Sequence, residues 1–182
     1  GGDIVGCGVD PLGERHGRVA LYLTDHFARL HRPRAPEDLG GREQGIMKHL
    51  AAQGASFFAD LHQATGSGYP GETVEALWDL VWKGLLTNDT FRALRAFTRP
   101  AERRRRAQPA RASSLGSRSF TSSRAFRSRR VAPPSAEGRW SLVSQRLTAA
   151  VTPTEWSTAT AQQLLSRYGV LTREVAAAEG VT

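Results

Sequence analysis

The sequence predicts a mostly helical α+β chain built from winged-helix modules, meaning helix-turn-helix units each followed by a short β wing. A basic, largely disordered segment separates the modules. Three observations predict this. Residues 41–91 read as three short helices, a strand and a tight turn. Residues 99–138 are dominated by Arg, Ser, Ala and Pro, with too few large apolar side chains to offset chain entropy. Residues 139–182 return to helical periodicity and repeat the first two helices of the same unit.

Residues 1–38 hold one strand candidate, Arg18-Val-Ala-Leu-Tyr-Leu-Thr24, between Gly17 and Asp25-His26. Pro33 and Pro36 then break regularity. The expectation is the tail of a β element whose partners lie upstream. The opening Gly1-Gly2-Asp3 has no initiator Met and no secretory pattern, so it reads as a cut inside a longer polypeptide.

Residues 39–98 form the best-defined expected module. Ile46, Met47, Leu50 and Ala51 have helical spacing, and Gly54 ends that helix. Ser56 is a candidate cap for a second helix, with Phe57, Phe58, Leu61 and Ala64 along one side. Thr73 is a candidate cap for a third, in which Val74, Leu77, Trp78 and Val81 follow the i, i+3, i+4, i+7 rule. Lys83-Gly84 is a C-terminal signal, Leu85-Leu-Thr87 a short strand and Asn88-Asp89 a turn. Residues 99–138 are the expected linker, closed by Pro133-Pro134. Residues 139–182 are expected to open a second, truncated module: a strand over 139–143, a helix capped by Thr154 and ended by Gly169, and a helix capped by Thr172 over 173–178. The recognition helix and wing that should follow are missing before Thr182.

The charge is concentrated in one place. The chain carries a net +8 with a pI near 10.9, a footprint of nucleic-acid binding. Eleven arginines and one acid fall within residues 99–130, so the flanks are close to neutral. Arg103, Arg104, Arg105, Arg106, Arg127, Arg129 and Arg130 are the candidate phosphate ligands, because the guanidinium fork pairs with phosphate oxygens. Phe120 and Phe126 are candidate stacking groups for unpaired bases. The competing reading is a solvated tether that only spaces two modules. The third helix carries Glu75 and Asp79 against a single base, Lys83, which argues against major-groove readout. Trp78 and Trp82 read as core. Wing residues Thr87, Asn88, Thr90 and Arg92 are better candidates for backbone contact, so Asn88 and Arg92 join the expected site.

Catalytic and metal chemistry find no purchase. There is no G-x-x-x-x-G-K-[ST] phosphate loop and no nucleophile elbow. Gly6-Cys-Gly8 lacks a dinucleotide-loop context. His49, Asp60 and His62 lack a third ligand and read as surface or capping residues. The single Cys7 excludes an internal disulfide and fits a reducing cytoplasm. No apolar run is long enough for a membrane helix. The expected site therefore has no catalytic residue, no metal and no cofactor.

Several long strings carry a resemblance. Gly54-Ala-Ser-Phe-Phe-Ala-Asp-Leu61, Ala76-Leu-Trp-Asp-Leu-Val-Trp-Lys-Gly-Leu-Leu-Thr-Asn-Asp-Thr90, Gly138-Arg-Trp-Ser-Leu142 and Ala161-Gln-Gln-Leu-Leu-Ser-Arg-Tyr-Gly-Val-Leu-Thr-Arg-Glu-Val175 resemble the C-terminal region of the large helicase-related (Lhr) proteins. These are superfamily 2 helicases, often described as DEAD/DEAH-box, that move 3′ to 5′ on single-stranded DNA and are linked to DNA repair. The resemblance implies an accessory, non-catalytic fragment of an ATP-dependent helicase. It implies partners in single-stranded DNA and in the rest of the helicase polypeptide, with ATP and Mg held elsewhere in the parent. It also leaves open a contribution to a glycosylase-like repair domain, or self-assembly into a homo-oligomer through Trp78, Trp82 and Trp156. No membrane partner is implied.

Overall fold

The computed structural model describes residues 3–32, 34–35, 38–99, 132–147 and 150–181. It is mixed α/β and mostly helical. The chain runs β1 (Ile4–Gly13), β2 (His16–Leu23), α1 (Thr24–Leu30), α2 (Gly41–Gln53), β3 (Ser56–Phe57), α3 (Phe58–Ala64), α4 (Pro70–Trp82), β4 (Leu86–Asn88) and α5 (Phe91–Thr98). After residues 100–131 come a 3-10 turn (Pro134–Ala136), β5 (Arg139–Leu142), a second 3-10 turn (Ser144–Arg146), α6 (Pro153–Tyr168) and α7 (Arg173–Ala178).

Helix α4 is the hub. Thr73, Val74, Ala76, Leu77, Trp78, Leu80, Val81 and Trp82 are all buried, so most of its circumference is apolar and enclosed. Glu72, Glu75 and Asp79 form its solvent stripe. Ile46 and Leu50 of α2 and Phe58 and Leu61 of α3 pack into the same core. A second, smaller core holds Val5, Cys7, Phe27 and Val143.

The N-terminal strand expected to pair upstream instead pairs within the chain. β1 and β2 form an antiparallel hairpin, Val5 opposite Tyr22 and Cys7 opposite Ala20. Only one strand was legible because Gly6, Gly8 and Pro11 dilute the β pattern of 4–13. The hairpin sits hard against the end of α4. A Cβ built on Gly8 would lie 2.0 Å from the Val81 carbonyl oxygen, so the two backbones touch where only glycine fits.

Three caps differ from expectation. Ser56 lies in β3 and its hydroxyl donates to the Gly54 carbonyl at 3.0 Å, so α3 starts at Phe58 without a side-chain cap. Helix α4 begins at Pro70, where the fixed φ of proline suits the first turn. Thr73 is therefore interior and fully buried, with its hydroxyl 2.9 Å from His62 Nδ1. Thr152, not Thr154, caps α6: Thr152 and Glu155 exchange hydrogen bonds in a capping box. Thr172 caps α7 as expected, accepting from the Val175 amide.

The largest difference concerns residues 132–142. Rather than ending a linker and opening a second module, they complete the first one. β5 is the middle strand of a sheet ordered β3-β5-β4. Ser56 faces Trp140, and Leu86 faces Leu142. Ser135 and Ala136 are buried, and the Trp78 indole N–H donates to the Ser135 carbonyl at 2.8 Å. Trp140 is fully buried, edge-on to Trp78 at 5.6 Å. Residues 100–131 thus enter and leave one folded unit between two strands of one sheet. The disorder expected of them lies outside the described residues.

Candidate nucleic-acid interface

Helix α5 leads into the basic stretch and is two-faced. Ala93 and Phe97 are buried, and Phe97 stacks on Trp78 at 4.6 Å. Arg92, Arg95 and Arg99 follow i, i+3, i+7 spacing on the exposed face. Arg15, from the β1–β2 turn, adds a guanidinium 5.8 Å from the Phe97 ring. Arg92 sits 3.7 Å from the Glu137 carboxylate with 71% of its side chain exposed. So loose a surface pair contributes little to stability and leaves the cation available.

The turn before α5 is structural. The Asn88 side chain donates to the Glu137 carbonyl at 3.1 Å and accepts from the Thr90 amide at 2.8 Å. The Asp89 carboxylate accepts from the Arg139 amide at 2.8 Å and its Nε at 3.1 Å. Thr87 is buried and donates to the Gly6 carbonyl at 2.7 Å. Thr90 caps α5. Gly138, at φ +91°, lets the returning strand pass these groups: a Cβ there would lie 2.6 Å from Asp89 Oδ1. Of the expected wing residues, Arg92 is the charged one exposed to solvent, in a loose pair with Glu137, whereas Asn88 holds the turn. Arg103, Arg104, Arg105, Arg106, Arg127, Arg129 and Arg130 lie outside the described residues. Apolar periodicity does not single out Arg95; its spacing from Arg92 and Arg99 is the signal that the sequence holds.

Lys83, the C-cap of α4, is half-buried and ion-paired. Its ammonium is 2.9 Å from Glu43 Oε1 and also reaches the Asp38 carbonyl. Helix α4 therefore presents only carboxylates to solvent. Trp78 and Trp82 are core residues, which removes them from any self-assembly surface. His62 is stacked on Phe58 at 5.4 Å and bonded to Thr73, a structural role. No group of three or more His, Cys, Asp or Glu is placed to hold a metal among the described residues. No helix among them is long and apolar enough to cross a membrane.

A cavity of about 160 Å³ lies between the hairpin, α4 and α5, walled by Ile4, Trp78, Val81, Phe91 and Leu94, with Asp89 at its edge. Its Thr87, Asn88 and Asp89 side chains are all engaged in the bonds above, and Arg146 is the one cation of its lining beside the apolar walls.

Cys7, on β1, is 1% exposed. Burial pushes its thiol up to about 12, and Arg146 pulls weakly the other way. The native thiol is therefore protonated at neutral pH and should react with a thiol reagent at pH 8 only as fast as the protein opens. Because the folded pKa is raised, the stability from the neutral buried thiol is present below about pH 9 and lost as pH rises towards about 12. Rapid labelling in native buffer would contradict the packing of β1.

No family model matches the chain. Two curated relatives do. It is 33% identical, over an alignment 195 positions long, to the Lhr helicase/uracil glycosylase of Escherichia coli. It is 32% identical, over 188 positions, to the Lhr helicase/probable uracil glycosylase of Mycolicibacterium smegmatis. Each match covers 99% of this chain and 12% of the relative.

Proposed function

Because this chain belongs to the Lhr family, as the counterpart of one segment of those long proteins, we propose that it is an accessory nucleic-acid-binding segment of a helicase. In this reading it contacts the phosphate backbone of single-stranded DNA and contributes no catalytic group. The element order α2-β3-α3-α4-β4-β5, with β5 in the middle of the sheet, supports a winged helix whose wing has been expanded to carry α5 and the arginine-rich stretch. The observation that carries the reading is that expansion. Ten arginines fall between two strands of one sheet, following the arginine face of α5 in the sequence. The acidic face of α4 turns the interface away from groove-reading by the third helix and towards the wing. ATP, Mg and strand translocation belong, in this proposal, to the remainder of a full-length family member, and so does a role in DNA repair.

A glycosylase contribution is the second reading. The names of both relatives and the small cavity beside Asp89 favour it. The Arg139 grip on the Asp89 carboxylate ranks it lower, since a catalytic carboxylate needs a free oxygen.

The test replaces Arg92, Arg95 and Arg99 together with alanine. Binding of a labelled single strand, followed by fluorescence anisotropy across a salt series, should weaken, and its log–log salt slope should become shallower by about 2. An unchanged slope would make the α5 face an ordinary solvated helix surface and count against this reading.

A further inference from the structure

A larger groove, about 940 Å³, runs between β2 and α1 on one side and α6 and the end of α7 on the other. That places it near the top of the range of about 300–1,000 Å³ usual for ligand sites. Its lining is cationic: Arg18, Arg32, Arg34 and Arg167 against one carboxylate, Glu179. Arg167 is tied to Glu179 at 3.0 Å, and Arg34 is near Asp10 at 3.7 Å. Arg18 is exposed on β2, and the Arg32 guanidinium lies 4.0 Å from the centroid of Trp156. Among the described residues the rim therefore keeps two cations without a carboxylate partner, next to an aromatic face.

The walls hold something rarer. His31 Nε2 and Thr160 Oγ1 are buried polar atoms with no hydrogen-bond partner among the described residues, and both residues line the groove. His31 is 9% exposed, its ring stacked on Phe27 at 4.8 Å and edge-on to Tyr22 at 5.9 Å. Burial, and then the Arg34 charge, hold its pKa below the ordinary histidine value, so at neutral pH the ring is uncharged. An uncharged imidazole nitrogen either donates or accepts, according to tautomer. Buried polar groups are nearly always bonded, and each exception calls for a cause. In the small cavity beside Asp89 the Thr87, Asn88 and Asp89 side chains are already paired. Here the His31 and Thr160 atoms are not.

Resting on the reading of this chain as a nucleic-acid binder, we propose that this groove seats one unpaired nucleotide of a single strand. Arg18 and Arg32 hold the phosphates that flank it, and His31 and Thr160 hydrogen-bond the polar edge of its base beside Trp156. Phosphate pairs well with guanidinium, and a base brings a flat face for an aromatic wall together with donors and acceptors on its edge. An acidic peptide would satisfy the arginines and leave the interior pair unmet.

The test uses the full chain and two labelled probes: a short oligothymidylate and an abasic strand of equal length and charge. The chain should bind the base-bearing strand about tenfold more tightly. His31→Phe keeps the ring against Phe27, and Thr160→Val keeps the side-chain volume. Each should lower that preference about fivefold without changing affinity for the abasic strand. The double variant Arg18→Ala/Arg32→Ala should weaken both probes alike. Salt-dependent binding with no preference for the base-bearing strand, or a preference that both conservative variants retain, would overturn the groove and leave the nucleic-acid reading standing. Binding of neither probe would bring down both.

Discussion

Replacing Trp140 with alanine is expected to cost about 3–5 kcal/mol, the usual range for emptying a fully buried tryptophan site. The side chain is 0% exposed, packs edge-on against Trp78 and donates its indole N–H to the Ala136 carbonyl at 3.2 Å. A loss of that size is a large share of the stability of an ordinary domain. Its pattern matters as much as its size. Trp140 lies on the middle strand, opposite both Ser56 and Asn88. The whole 41–98 unit should therefore unfold with it, in one transition, when followed by denaturant. If residues 139 onward belonged to a separate module, the helices of 41–98 would keep their midpoint and a second transition would appear.

The second large effect is on binding. Excising residues 100–131, and joining Arg99 to Ala132 through a few Gly and Ser residues, should remove most affinity for single-stranded nucleic acid. It takes out ten of the eleven clustered arginines. A ligand that neutralises several phosphates gains most of its affinity from released counterions, so the loss should reach about a hundredfold or more at low salt. The same excision should leave the fold intact and slightly more stable. The stems meet in the core, where Trp78 touches both Phe97 of α5 and the Ser135 carbonyl. Closing a loop about four times shorter recovers roughly 1 kcal/mol of chain entropy. A variant that binds poorly because it has unfolded would show itself in the same denaturant experiment.

Helical periodicity made much of this legible in the sequence. The apolar spacing of 73–82 marked the central helix, Gly54 and Gly169 ended helices where they were expected to, and 173–178 formed the expected final helix. What periodicity cannot convey is which distant segments pair. Trp140 is separated from Leu86 by a long basic stretch, and nothing local in Arg-Trp-Ser-Leu says that its partners lie in front of that stretch. The hairpin escaped for a related reason: its glycines are there to let its backbone approach α4, and the same glycines erase the alternation that announces a strand. Caps failed where two candidates stood close together. Pro70 outcompeted Thr73, and the Thr152–Glu155 box outcompeted Thr154. On the interface, the arginine run was evident from composition. The Arg92, Arg95 and Arg99 spacing of the α5 face is also present in the sequence, whereas the groove at His31 depends on which distant elements come together.

The most direct test of the central claim, that a basic insertion in one folded unit holds the nucleic-acid backbone, is anisotropy of a labelled single strand against salt for the intact chain and the variant lacking 100–131. The account requires steep salt dependence in the intact chain and its near-disappearance in a variant that still unfolds in one cooperative transition. Equal binding by both proteins, or binding that salt does not weaken, would contradict it.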